Sequence, residues 1–261
     1  MIRAKKSLGQ NFLIDNNLIE RIVNIANIKG ENILEIGPGT GNLTSAILKK
    51  EPNKLIVVEK DNRLAEDLKL KFNEKIVIIN DDILELDEKK ILDKELTVFG
   101  NLPYNISTEI LCKWILNLED QYWFKYLLLM FQKEVADRII GEFNSKNYSR
   151  LSIISQWRLD VEKICDIKPT SFSPKPKIDS SLIFFKPKKN FFKFKDSKSL
   201  EKITRIFFMH KRKMIKKPYN QIFNGDINVA EKLKINLNLR PQNLDFETFY
   251  NITKEYENLR S

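Results

Sequence analysis

The sequence predicts an α/β protein, a parallel sheet with helices on both faces, followed by a smaller helical region. Three observations carry this expectation. Short apolar runs of strand character alternate with segments of helical period over about 150 residues. A glycine-rich loop, Gly37-Pro-Gly39-Thr-Gly41, joins one of the first strands to a helix. Beyond Lys186 the alternation stops and only helical patterns remain.

The elements follow in order. Residues 16–28 place Leu18, Ile22, Ile25 and Ile28 on one helical face. The run ENILEIG ends at glycine and reads as a buried strand, with GNLTSAILKK as its helix. KLIVVEKD and NRLAEDLKLKF repeat the pair. KIVIINDD, LTVFGN and KYLLLMFQ are further strands, and the helix STEILCKWIL follows LTVFGN. The loop SFSPKPKIDSS (171–181) precedes a late strand, LIFFK. SLEKITRIFFMHKRKMIKK, INVAEKLKINL and DFETFYNITKEYENL then read as helices. Two domains are expected, residues 1–188 and 189–261.

Composition narrows the class. A chain of 261 residues with 42% hydrophobic and 31% charged residues can bury a large core. Its longest apolar run, Tyr126 to Phe131, falls far short of the roughly 20 residues of a membrane span. No apolar segment follows the charged N-terminus, so no signal peptide is expected. Cys112 and Cys165 stand apart, and His210 is the single histidine, so neither a disulfide framework nor a metal site is expected. The cytoplasm is the expected compartment.

The net charge of +10 is unevenly placed. Residues 1–185 hold 27 basic and 27 acidic residues, whereas residues 186–261 hold 18 and 8. A neutral body with one basic appendage points to a polyanionic partner met by that appendage. Lys211, Arg212, Lys213, Lys216 and Lys217 are the candidate phosphate contacts.

The glycine loop lets the backbone turn tightly and approach a ligand at a helix N-terminus. Alone it is weak evidence. Glu59, 22 residues after Gly37, ends the next strand, where its carboxylate can accept from both hydroxyls of a ribose. Asp82 ends the strand after that, where it can accept from an adenine amine. Together these favour an adenosine-containing cofactor, either NAD or S-adenosylmethionine, at the C-terminal edge of the sheet.

LTVFG then runs into Asn101-Leu102-Pro103-Tyr104. Methylation of an exocyclic amine requires its lone pair to point at a sulfonium methyl. The Asn101 oxygen and the carbonyl of Leu102 or Pro103 can accept the two amine hydrogens, and Tyr104 offers a face for the base. Because the nitrogen becomes acidic only once methylated, no strong base is needed. Orientation and electrostatics would supply the rate. The cofactor reading narrows to S-adenosylmethionine.

These segments resemble a known family. SLGQNFL, LEIGPGTGNLT, VVEKD, FGNLPYNIST, QKEVADRI, SFSPKPKIDSS and FMHKRKMI are similar, in order and along nearly the whole chain, to the ribosomal RNA adenine N6,N6-dimethyltransferases of the KsgA type. The resemblance implies a class I S-adenosylmethionine-dependent methyltransferase fold with a Rossmann-like seven-stranded sheet and a small helical C-terminal domain. It also implies dimethylation of two adjacent adenosines near the 3′ end of small-subunit rRNA in the 30S particle. Asn11 and Leu13 would close over the cofactor, Gly37 and Gly39 would pack beside it, and Glu59 and Asp82 would bind its ribose and adenine. Asn101 would touch both cofactor and target base. Phe172 would stack on the base opposite Tyr104, although the residue by itself reads as a core aromatic anchoring its loop.

The sequence departs from the family pattern at Ser149, where glycine is common, and at Pro218, which is expected to interrupt the tail helix. The target should be an unpaired or flipped-out base. A macrolide-resistance-type methyltransferase of large-subunit rRNA shares the glycine loop but matches the GNLPYNIST and PKPKIDSS wording less well. An assembly factor acting mainly by binding is the reading from another class. A monomer is expected.

Overall fold

The computed structural model describes residues 3–5, 8–91, 95–118 and 121–259. Met1, Ile2 and Lys6 of the charged N-terminus and Ser7 of SLGQNFL lie outside them. In chain order the elements are β1 (Phe12–Leu13), α1 (Asn16–Ile22), β2 (Asn32–Ile36), α2 (Asn42–Leu48), β3 (Lys54–Val58) and α3 (Asn62–Phe72). Then come β4 (Val77–Ile79), β5 (Leu96–Gly100), α4 (Ser107–Leu116), β6 (Phe124–Gln132), α5 (Lys133–Ile139), α6 (Arg150–Arg158) and β7 (Leu159–Ile167). β8 (Phe172–Ser173), β9 (Ser180–Pro187), α7 (Ser197–Phe208), α8 (Lys216–Phe223), α9 (Asn228–Lys232) and α10 (Phe246–Asn258) complete the chain.

The chain forms two compact units. The first comprises Met1–Lys113, Leu118–Ala136 and Val161–Pro187, and the second Trp114–Asn117, Asp137–Asp160 and Lys188–Ser261. The second unit therefore starts its long stretch at Lys188 but also takes in two earlier segments.

In the first unit seven strands are ordered β4-β3-β2-β5-β6-β9-β7. β4, β3, β2, β5 and β6 are joined by parallel pairing, and β9 runs antiparallel to β6. The expected strands are present. One further strand, β7, was not anticipated, because its sequence LDVEKICDI mixes charges into the run, as suits an edge strand with one solvated side. Under the sheet lies a core that includes Ile33, Ile47, Val57, Leu68, Phe99, Leu128 and Met130. α1 ends at Ile22, earlier than its apolar spacing suggests, yet Ile28 is still buried by the turns that follow.

The second unit is built on helices. Ser149 donates its N–H to Ser152 Oγ at 3.0 Å to start α6. Its φ of −159° is extended backbone open to any residue, so the departure from glycine carries no strain. Phe207 and Phe208 of α7 meet Phe249 of α10, and Glu257 accepts from the backbone N–H groups of Lys195 and Asp196 at 2.9 Å each. The long basic helix expected after residue 199 is broken, but not at Pro218. α7 stops at Phe208, a turn follows, and Pro218 sits in the first turn of α8, where its missing N–H costs nothing.

Glu35 of β2 lies opposite Val57 and Phe99 in the register and is 1% exposed. Its Oε2 has no hydrogen-bond partner among the described residues. Burial, with added repulsion from Glu59, pushes its carboxyl up to about 8. A carboxyl whose native pKa is raised stabilises the fold fully below its unfolded value near 4.5, and that contribution is lost as pH rises toward the native value. Urea unfolding midpoints should therefore fall from pH 5 to pH 8, and Glu35→Gln should flatten that fall.

Candidate active site

Parallel pairing of four neighbouring strands brings their C-terminal ends to one edge of the sheet. Gly37 follows β2, Glu59 follows β3, Asp81 and Asp82 follow β4, and Asn101 follows β5. These ends line a cavity of about 230 Å³. Leu8 to Phe12 close it from the N-terminal side, and Leu102, Pro103, Tyr104, Asn105 and Ile106 complete it. Of the residues anticipated for cofactor and chemistry, Asn11, Gly37, Gly39, Glu59, Asp82, Asn101, Leu102, Pro103 and Tyr104 are brought together here.

Glu59 is buried, and each carboxylate oxygen already accepts one backbone N–H: Gly39 at 3.2 Å on Oε2 and Asp61 at 2.9 Å on Oε1. Burial raises its pKa while these bonds oppose the rise. One lone pair remains on each oxygen, which suits a vicinal diol. Asp82 accepts from the Leu84 N–H at 3.1 Å and forms an ion pair with Lys60. Burial alone would raise its carboxyl, but the Lys60 ammonium and the Leu84 N–H bring it below the usual range. Ile83, Leu84 and Leu64 give this end of the cavity apolar walls. Lys113 of α4 holds the adjoining loop by donating to the Ile83 carbonyl at 2.8 Å and to Glu88 at 2.8 Å.

The N-terminal strap is tied down at several points. β1 pairs antiparallel with β8, and Asn42 donates to the Leu13 carbonyl at 2.7 Å. Lys5 and Gln10 both reach Asp61 at 3.1 Å, and Arg63 meets the same carboxylate at 2.7 Å. The Asp61 side chain is fully buried, and Arg63 first, then Lys5 and Gln10, hold its carboxyl far below the usual range. Gly39 makes room for this closure, since a Cβ there would lie 2.7 Å from the Phe12 ring, at a φ of +57°. Gln10, Lys60, Asp61 and Lys113 had no assigned role in the sequence. Asp61 lies inside VVEKD, but only packing shows what converges on it.

Asn101 donates its Nδ2 to the Asn11 carbonyl at 2.8 Å, an acceptor that fixes which end of the amide is nitrogen. Its Oδ1 is thereby left as an acceptor. The Pro103 carbonyl is taken by the Ile106 N–H at 3.1 Å, whereas no hydrogen bond reaches the Leu102 carbonyl among the described residues. Of the two carbonyls considered from the sequence, Leu102 is the free one. The Tyr104 hydroxyl is 2.5 Å from Ser180 Oγ, which anchors the ring at the cavity wall.

Two expected residues are not in the cavity. Phe172 is 1% exposed and Leu13 is 5% exposed, and both belong to the core of the first unit. Facing each other across the β1–β8 pair, they tether the strap to the loop that follows. In this conformation the Phe172 ring is buried in the core, as the residue by itself suggested. In the second unit, Lys211, Arg212, Lys213, Lys216 and Lys217 are all exposed, and none pairs with a carboxylate among the described residues. Among the described residues no helix is long and apolar enough to cross a membrane, and no cluster of three or more His, Cys, Asp or Glu is placed to hold a metal.

Asp61→Ala should free the strap. Limited proteolysis near Lys5 should accelerate, and unfolding free energy at pH 7 should drop by roughly 1–3 kcal/mol, the scale of charge-assisted hydrogen bonds. Because the native pKa is depressed, this contribution is present above the ordinary value near 3.8 and disappears only as pH falls below it.

Comparison with known proteins fits this architecture. Residues 1–258 match the family model described as ribosomal RNA adenine dimethylase. A "Ribosomal RNA small subunit methyltransferase A" of Pelagibacter ubique (strain HTCC1062) is 65% identical over 259 residues, covering 99% of both chains. The same-named protein of Ehrlichia ruminantium (strain Gardel) is 43% identical, covering 97% of each. Among solved structures, a dimethyladenosine transferase from Plasmodium falciparum superposes with a TM-score of 0.81 at 28% identity, over 95% of this chain and 98% of that one. The 23S rRNA methyltransferase ErmE shares the fold, with a TM-score of 0.69 at 20% identity over 95% of this chain and 100% of its own. With a family model covering almost every residue and the catalytic edge built as described, the chain belongs to the ribosomal RNA adenine dimethylases, S-adenosylmethionine-dependent enzymes of the class I methyltransferase fold.

Proposed function

We propose that this enzyme dimethylates two adjacent adenosines at N6 in the 3′-terminal hairpin loop of small-subunit rRNA, within the 30S particle, and so acts in ribosome biogenesis. The observation that carries the reading is the pair of acceptors at the tip of β5. The Asn101 amide is committed through Nδ2 to Asn11, and the carbonyl of the next residue, Leu102, is free. An exocyclic amine has two hydrogens, and these two oxygens match them.

The cavity fits S-adenosylmethionine. Glu59 keeps one lone pair per oxygen for a ribose diol, Asp82 stands at the next strand end for an adenine amine, and Gly37 and Gly39 line the part of the cavity that would take the methionine. When bound, S-adenosylmethionine supplies an electrophilic methyl group on a sulfonium. The chain's own residues orient the acceptor. Asn101 Oδ1 and the Leu102 carbonyl draw the amine hydrogens into one plane of contact and turn the nitrogen lone pair away from them. Pro103 stiffens that carbonyl, and the Tyr104 ring, pinned through Ser180, supports the base. None of these groups has to remove a proton before methyl transfer, so preorganised acceptors account for the catalysis.

The end-to-end relatives at 65% and 43% identity carry the small-subunit name, against 20% identity for the large-subunit enzyme structure, and this supports the small-subunit substrate. We assign the exposed basic turn and the start of α8 to phosphate contact, and we read the protein as a cytoplasmic monomer.

Labelled methyl transfer from S-adenosylmethionine to unmethylated 30S subunits, with 50S subunits as the control, tests the reading. Two methyl groups on each of two adenosines of the 30S particle, recovered as N6,N6-dimethyladenosine, are expected. Label confined to 50S would overturn the substrate assignment. In the same assay Asn101→Ala should slow transfer by about 10²- to 10³-fold, as for loss of one preorganised polar group, while 30S binding survives. Equal loss of binding and transfer would show that Asn101 is not catalytic. Glu59→Ala should weaken S-adenosylmethionine binding by roughly 1–3 kcal/mol, measured by titration calorimetry.

A further inference from the structure

The two ends of the loop Pro174–Asp179 are each held by a residue that lines the active-site cavity. At one end Ser173 pairs with Phe12 across β8 and β1, and Phe12 lines the cavity. At the other end Ser180 meets the Tyr104 hydroxyl at 2.5 Å, and Tyr104 lines the cavity too. The six residues between therefore arch from the N-terminal strap to the Asn101–Tyr104 motif. Within the arch Lys175, Lys177 and Ile178 are exposed, Ile178 to 43%.

The charge of this arch is unusual for its surroundings. Residues 1–185 balance exactly as many basic as acidic side chains, and many lysines of the first unit are paired, among them Lys60 with Asp82, Lys113 with Glu88, Lys125 with Glu31 and Lys133 with Asp166. Lys175 and Lys177 have no carboxylate partner among the described residues. The one acid of the arch, Asp179, is already neutralised by Lys168 at 3.1 Å, and Lys168 is itself 75% exposed. Two uncompensated ammonium groups thus sit on an exposed loop whose ends are held by cavity-lining residues. Pro174 and Pro176 flank Lys175 and fix the local φ, so less backbone freedom is lost when a ligand orders the arch.

We propose that this arch is a second RNA-binding site, separate from the basic turn of the second unit, in which Lys175 and Lys177 hold the backbone phosphates beside the adenosine delivered to Tyr104. Ile178 adds an apolar contact to the sugar or neighbouring base. The inference rests on the function proposed above and deepens it. Modification of two adjacent adenosines requires the same strand to be held in two registers one nucleotide apart. Phosphate contacts carry no sequence information, and lysine is a compact charge on a flexible stem, so such a grip survives the shift.

The test compares wild type with K175A/K177A in methyl transfer to unmethylated 30S subunits, together with S-adenosylmethionine affinity. The double variant should raise KM for 30S by about 3- to 30-fold, leave kcat within twofold, and leave cofactor affinity unchanged. The slope of log affinity for 30S against log salt should become shallower by about 1.4–1.8, the release expected for two phosphates. K175R/K177R should restore both KM and slope. K175Q/K177Q, which keeps the stems, should behave as the alanine variant and provides the same reading if that variant folds poorly. Unchanged KM and salt slope in an actively methylating background would overturn the proposal. Failure of the wild type to methylate 30S would instead overturn the proposed function, so the two failures are distinct.

Discussion

The parallel register of β4, β3, β2 and β5 is the constraint on which the site depends. Because Ile36 pairs with Val58 and with Gly100, and Val58 with Ile79, the residues that leave these strands emerge side by side at one edge. That register delivers the glycine turn, the Glu59 and Asp82 carboxylates and the Asn101 amide in adjacent lanes. A slip of one residue in any strand would reverse its inward and outward side chains and carry its terminal residue away from the others. The apolar residues beneath, from Ile33 to Phe99, hold the register, since each strand has only one way to bury them all.

The same edge is costly to build. It holds the buried Glu35 and Glu59 close enough for mutual repulsion, and both carboxyls are shifted upward by burial. Glu59 is stabilised by two backbone N–H groups from the turns that follow β2 and β3, whereas Glu35 keeps an unpartnered oxygen. Asp61 takes the opposite course, drawing Lys5, Gln10 and Arg63 onto one buried carboxylate. Closely spaced acids on one short segment therefore do different work, and the number of donors reaching each decides which remains available to a ligand.

Asn101 links the strap to the chemistry. The hydrogen bond to the Asn11 carbonyl spans 90 residues of sequence and sets the amide so that its oxygen is free. The position of the strap and the orientation of the Asn101 amide are thus coupled. The strap is in turn joined through Leu13 and Phe172 to the proline-containing arch, whose far end is pinned at Tyr104. Strap, arch and motif are thus linked in series, and the strap and the motif line the cavity.

How much of this was legible beforehand follows from the range of the forces involved. Alternating apolar runs and acids at strand ends are local patterns, so the succession of strands along the chain and the edge that carries the site could be read from the residues alone. Asn101-Leu102-Pro103-Tyr104 was legible for the same reason, four neighbours with complementary chemistry. The edge strand β7 was not, because its charges mask the period, and the break in the basic tail was misplaced because a proline within the first helical turn is harmless. Phe172 shows the limit most clearly. A resemblance put its ring against a substrate, and packing put it in the core, since a large apolar ring is held where distant segments converge to exclude water. The sequence by itself determined which groups stand at the ends of the strands. The tertiary structure alone decided which of them keep a free lone pair, because that depends on donors brought in from segments far apart in the chain.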